Sequence, residues 1–194
     1  MSVLIKEIPI HGYQITGWIA EFLDSYNIKG AEIGVFNGVL SNYLLRGHPK
    51  LHLTMVDAWA VIEPESSAGK SGDLLATLRP SSWCSVCGLA YKNTNFADKR
   101  RTVIRSDSFV AAEQVPDESL DFVFIDADHS YEGALRDLKA WIPKVKSSGF
   151  VSGHDLENPD YAKWGVKKAL SDYGVPKIIK GLDTTWCFPK EWMP

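Results

Sequence analysis

A surplus of positive charge is missing from this sequence. Its 21 Lys and Arg stand against 24 Asp and Glu, a formal net charge of -3, with a pI near 5.9. Nucleic-acid binding rests largely on neutralising phosphates, so this balance argues against a nucleic-acid partner. The one basic cluster, Lys99-Arg100-Arg101, is short and runs straight into strand-like residues. Cysteine is also scarce: three residues cannot build a disulfide framework and fit a reducing compartment. No apolar run approaches the roughly 18 residues needed to cross a bilayer, which excludes a helical membrane partner. The opening MSVLIKEIPIHGYQ has no basic segment leading into a long apolar one, so the expected location is the cytoplasm. Two nucleotide-binding fingerprints are absent as well. Phe36 stands where a second glycine of G-x-G-x-x-G belongs, and no G-x-x-x-x-G-K-[ST] occurs.

What is present is ordinary globular composition, 45% hydrophobic over 194 residues, enough for one well-filled core. A single domain over residues 1–194 is expected. Apolar residues at Ile15, Ile19, Phe22 and Leu23 predict a helix within residues 12–26 of an N-terminal segment, 1–29. From Ala31 onward short apolar runs alternate with helical periodicity: strands near 31–35, 51–56, 102–105, 121–125 and 149–152, and helices from 38, over 83–97, 109–113, 131–141 and 162–173. That alternation predicts a doubly wound α/β fold with a mostly parallel seven-stranded sheet. Residues 177–179 and 185–188, around Gly181, predict a C-terminal antiparallel hairpin. Residues 58–82 are crowded with Pro, Ser and Gly and read as a long loop, a candidate lid. The apolar tail 186–194 either covers a sheet edge or forms a homodimer contact.

In open parallel sheets, ligands bind outside the carboxyl ends of the strands. Here those ends carry Gly34 with Gly38, then Asp57, then Asp107, then Asp126, Asp128 and His129, then His154 with Asp155. A glycine directly after a strand admits a tight turn and a close ligand, and a helix starting near Gly38 aims free N–H groups at it. Asp57, 25 residues past Glu32, falls where this geometry sets a carboxylate against a ribose diol. Cys84 and Cys87 form a C-x-x-C, but a structural zinc site needs four ligands and only Cys187 remains.

Three parts of the chain carry a resemblance: Glu32-x-Gly34-x-x-x-Gly38, Asp57, and the block SLDFVFIDADHSYEGALRDLKAWIPKVKSSGFVSGHD. Together they resemble class I S-adenosylmethionine-dependent methyltransferases, in particular the O-methyltransferase-like group with an I-D-A-D-H-S-Y signature. The resemblance implies a class I Rossmann-like fold with S-adenosylmethionine as cofactor. It implies that Glu32, Gly34 and Gly38 hold the methionine part, Asp57 the ribose, and Asp107 with Ser108 the adenine, with Ala58, Trp59 and Asp126 completing the wall. A ligand without phosphate is consistent with the missing glycines.

Methyl transfer from a sulfonium needs alignment and a nucleophilic acceptor, and a hydroxyl gains nucleophilicity from a divalent ion or a base within reach. In the metal-dependent relatives the first Asp of the signature binds the ion and the residue three positions on is the base. Here those are Asp126 and His129, with Asp155 as further ligand. Leu156 follows Asp155 where an Asn is usual, and His154 precedes it, so three alternatives stay open: His154 is the third ligand for Mg2+ or another divalent cation, His129 is, or the site holds no metal. The expected reaction is methyl transfer to a hydroxyl of a small molecule or sugar. An N-methyltransferase, or a cofactor-binding protein of the same fold without catalysis, stays open at this stage.

Overall fold

The computed structural model describes residues 4–7, 27–158, 163–181 and 183–194. The helix expected over 12–26 lies outside them. Described strands are β1 (Leu4–Glu7), β2 (Lys29–Ile33), β3 (His52–Asp57), β4 (Arg101–Arg105), β5 (Leu120–Ile125), β6 (Val145–Gly153), β7 (Lys177–Lys180) and β8 (Trp186–Pro189). Helices are α1 (Val39–Gly47), α2 (Ser67–Lys70), α3 (Pro80–Thr94), α4 (Ser108–Ala112), α5 (Tyr131–Trp141) and α6 (Val166–Tyr173).

All eight strands form one sheet in the order β1-β7-β8-β6-β5-β2-β3-β4. This is the doubly wound, mostly parallel arrangement expected, seven strands with a C-terminal antiparallel pair. Two features go beyond it. Leu4–Glu7 adds an eighth strand, parallel to β7, at the edge. And β8 is inserted between β6 and β7, antiparallel to both, so the hairpin belongs to the interior of that half of the sheet.

Position along the sheet follows from burial demand. Apart from Asp121, every residue of β5 is buried, as a central parallel strand covered on both faces requires. Val123 and Ile125 pack with Leu138, Trp141 and Leu170 on one face. Phe122 and Phe124 pack with Leu44, Leu45 and Trp83 on the other. The helices divide the same way: α1 and α3 cover one face, and α4, α5 and α6 the other. The chain therefore leaves β2 toward one face and β5 toward the opposite face, although β2 and β5 are neighbours. A crevice opens between such diverging connections.

Residues 58–82 are less irregular than their composition suggests. Ser66 caps α2 by accepting from the Gly69 N–H at 3.1 Å, and Asp73 caps a 3₁₀ turn, Leu74–Thr77, by accepting from Leu75 N–H at 2.8 Å. The helix expected from Trp83 starts at Pro80, where a missing N–H costs nothing.

Gly34 ends β2 with φ +89°, and a Cβ there would overlap the backbone carbonyl of Asp126. Its absence lets the ends of β2 and β5 touch at the crevice floor. Gly34→Ala is expected to cost about 3 kcal/mol in urea unfolding, combining overpacking with left-handed strain. Gly72→Ala has a similar φ of +86° but open space around it, and is expected to cost only about 1 kcal/mol.

Candidate active site

A cavity of about 390 Å³ lies over the crevice between β2 and β5, within the range of small-molecule sites. Its wall includes Gly34 and Phe36 after β2, Asp57, Ala58 and Trp59 after β3, and Ser106 to Phe109 after β4. Asp126, Ala127 and Asp128 after β5, Asp137 on α5, and Ser67 and Asp73 from the 58–82 segment complete it. Three strand-end groups expected at one ligand, Gly34, Asp57 and Asp107 with Ser108, thus share one wall with Asp126.

Asp57 organises the middle of that wall. One carboxylate oxygen accepts from the Phe36 N–H at 2.8 Å and the other from the Trp59 N–H at 2.7 Å. Trp59 is buried and returns its indole N–H to the Phe36 carbonyl at 2.7 Å. Phe36 and Trp59 both adopt positive φ, 50° and 41°, a strained pair that these bonds hold in place. Burial pushes the Asp57 carboxyl above its ordinary range, and the two N–H donors offset part of that rise. Each carboxylate oxygen keeps a second lone pair for a ligand donor.

Glu32 and Gly38 lie off the cavity wall. Glu32 is buried on the α1 face of β2, level with Met55 and Phe124, and the Ser41 hydroxyl donates to it. Burial raises its pKa to about 8, so it is a neutral acid at pH 7. Gly38 opens α1 with φ +75°, and a Cβ there would come within 3.0 Å of Ala90 Cα on α3.

His129, His154 and Asp155 also lie behind the wall, in contact with Asp126. The His129 Nε2 is 3.1 Å from Asp126 Oδ1 and 3.2 Å from Asp155 Oδ2, and its Nδ1 is 3.5 Å from Asp73 Oδ2. Trp164 stacks on the ring at 4.2 Å. His154 Nδ1 is 3.1 Å from Asp155 Oδ2 and 4.0 Å from Asp126 Oδ1. Burial alone would lower the His129 pKa, but the hydrogen bond to Asp126, the nearby Asp73 carboxylate and the charges of Asp126 and Asp155 raise it to about 10. Without another cation, His129 is therefore an imidazolium among three carboxylates. Asp155 is held below its ordinary range: burial opposes this, and the two histidines outweigh it.

Ligand atoms of Asp126, His154 and Asp155 lie within 4.8 Å of one another. Two carboxylates and an imidazole fit a divalent ion with mixed oxygen and nitrogen preference.

Ser67, Asp73, Arg136 and Asp137 are among the wall residues that the strand-end reading does not reach. Ser67 and Asp73 sit in the irregular segment, where no periodicity marks them; Ser67 donates to Asp128 at 3.3 Å. Arg136 and Asp137 sit on α5. Asp137 had a signal: it occupies the helical stripe of Ala134, Leu138 and Trp141, a core position for a charged residue. Burial raises its pKa to about 6, with Ser108 and Arg136 opposing.

Glu32 gives a pH test. Its folded pKa lies above the ordinary 4.5, so the native state is favoured fully below pH 4.5 and loses that advantage as pH rises through about 8. Glu32→Gln keeps the Ser41 bond without ionising. Relative to the wild type it is expected to gain on the order of 4 kcal/mol across that window, read from urea unfolding at both ends.

No helix of the described residues is long and apolar enough to cross a membrane. No curated protein sequence matches the chain. Among solved structures, the O-methyltransferase NovP superposes with a TM-score of 0.67 at 17% identity, covering 91% of this chain and 78% of that one. A protein from Corynebacterium glutamicum gives 0.63 at 14%, covering 94% and 82%. A SAM dependent methyltransferase from Aquifex aeolicus gives 0.54 at 15%, covering 90% and 85%. These likenesses establish the class I methyltransferase fold. Residues 31–156, which contain the glycine turn, Asp57, the whole cavity floor and Asp155, match the model of a methyltransferase domain family, and the chain belongs to that family.

Proposed function

We propose that this protein transfers the methyl group of S-adenosylmethionine to a hydroxyl of a small molecule or sugar, within one domain spanning residues 1–194. The carrying observation is that Gly34, Asp57, Asp107 and Asp126, from four adjacent strands, line one cavity of about 390 Å³. A sulfonium nucleoside matches that wall. Its ammonium finds Asp126 and its ribose diol the free lone pairs of Asp57, and no phosphate asks for the extra glycines this turn lacks. Glu32 and Gly38 support the turn from behind.

In the reaction the acceptor oxygen attacks the methyl carbon as the carbon–sulfur bond breaks, leaving the thioether S-adenosylhomocysteine. The protein must align oxygen, methyl and sulfur in one line and take up the hydroxyl proton. His129 is our candidate for the proton: from behind the wall its Nε2 lies 3.1 Å from Oδ1 of Asp126, which lines the cavity. Asp126, Asp155 and His154 are the residues that would hold a divalent ion. When bound, such an ion lowers the pKa of a coordinated hydroxyl. Such an ion would also offset the charges of Asp126 and Asp155, which would leave His129 free to act as a neutral imidazole.

The 58–82 segment serves as a lid in this reading, since Ser67 and Asp73 reach from it to Asp128 and His129. Closing it excludes water from the transferring methyl.

Thermal shift tests the cofactor: S-adenosylhomocysteine at about 100 times its dissociation constant stabilises by about 2.7 kcal/mol, and NAD at the same concentration leaves melting unchanged. The converse result removes the proposal. For the ion, Mn2+ is expected to raise the melting temperature and a chelator to reverse it, with Asp155→Ala insensitive to both. Equal shifts in wild type and variant would refute the ligand set.

A further inference from the structure

We propose that Asp137 reads the base of the nucleoside, its carboxylate accepting a hydrogen bond from the exocyclic amine of adenine; this rests on the S-adenosylmethionine reading above. Asp137 lines the cavity and is 1% exposed. Its Oδ1 has no hydrogen-bond partner among the described residues. A buried carboxylate oxygen without a donor carries an unrecovered desolvation cost, and in a cavity wall a ligand donor removes it.

Position says which part of the ligand reaches it. Along β2, β3 and β4 the wall runs from Gly34 through Asp57 to Asp107 and Ser108. With ribose at Asp57 and the methionine end at Gly34, the base falls at the β4 end. Asp137 reaches that end from α5, beside Ser108 at the start of α4, and the Ser108 hydroxyl is itself fixed by the Trp141 indole N–H at 2.8 Å. Ser108 lies beside the carboxylate and opposes the rise of its pKa, while Oδ1 is left without a donor. Phe109 of the same wall supplies an apolar surface for a flat ring.

Adenine presents an amine, a donor, where hypoxanthine presents a carbonyl, an acceptor. A carboxylate there accepts from the first and repels the second. A residue that merely held α4 in place would not distinguish them.

Calorimetric titration of the full chain with S-adenosylhomocysteine and S-inosylhomocysteine separates these roles. The wild type is expected to bind the adenosyl compound at least about tenfold more tightly, the worth of one buried hydrogen bond left unmade. In Asp137→Asn, adenosyl affinity falls about tenfold while inosyl affinity holds or rises, so discrimination disappears. An unchanged ratio in the variant, including equal loss for both compounds, overturns the assignment. If Asp137→Asn does not fold, the wild-type ratio decides, because equal affinity for the two compounds overturns it too. Absence of binding by either compound overturns the cofactor reading and the assignment with it, whereas equal binding overturns the assignment alone.

Discussion

Ladder hydrogen bonds hold Ile104, Val56, Ile33, Ile125 and Gly153 level with one another across five adjacent strands. The residues that follow them, Arg105, Asp57, Gly34, Asp126 and His154, are consequently delivered as a second row, just where pairing stops. Register is rigid in a sheet packed on both faces, since a slip of one residue would turn Phe122 and Phe124 to the wrong side. The Asp126 N–H donates to the Ile33 carbonyl at 2.7 Å and the Gly34 N–H to the Val56 carbonyl at 2.9 Å. These bonds tie the last paired row to the first functional one. The cavity is thus a property of the sheet, and the helices decide only on which sides it is walled.

Charge behind that wall is concentrated to a degree that burial alone would forbid. Asp73, Asp126 and Asp155 converge on one imidazole whose side chain is 9% exposed. Carboxylates this close cannot all remain ionised without a cation among them. The raised pKa of His129 and the lowered one of Asp155 are two views of that compensation. Arg105 performs a milder version on the other side, donating to the carbonyls of Ala58 and Trp59 at 3.4 and 3.3 Å and anchoring the base of the 58–82 segment.

Strand positions and the residues at their carboxyl ends could be read from the chain because each depends on local pattern: an apolar run, then a glycine or a carboxylate. The mostly parallel sheet followed from alternation, whereas the strand order, and with it the crevice between β2 and β5, needs the long-range pairing. Glu32 alternates with Ile33 and so lies on the opposite face of the sheet from the cavity wall, a side that its distance to Gly34 in sequence does not reveal. Asp73 and Ser67 were invisible because a segment held by capping bonds and one ion pair has no period to detect. Trp164, stacked on His129, reads in sequence as one more core tryptophan. Asp137 lies between these cases, marked only by its place in an apolar stripe of α5. Leu4–Glu7 is too short to announce a strand without its partner.

That partner is Lys177–Lys180, and the pairing joins segments almost the whole sequence apart. Closing so large a loop costs entropy that four residues of parallel ladder repay poorly until β6, β8 and β7 are assembled. Assembly therefore spreads outward from the β2 and β5 centre, with this strand docking late. During synthesis Leu4–Glu7 waits without its partner until Lys177–Lys180 has been made, leaving unsatisfied a row of backbone groups that the folded sheet conceals.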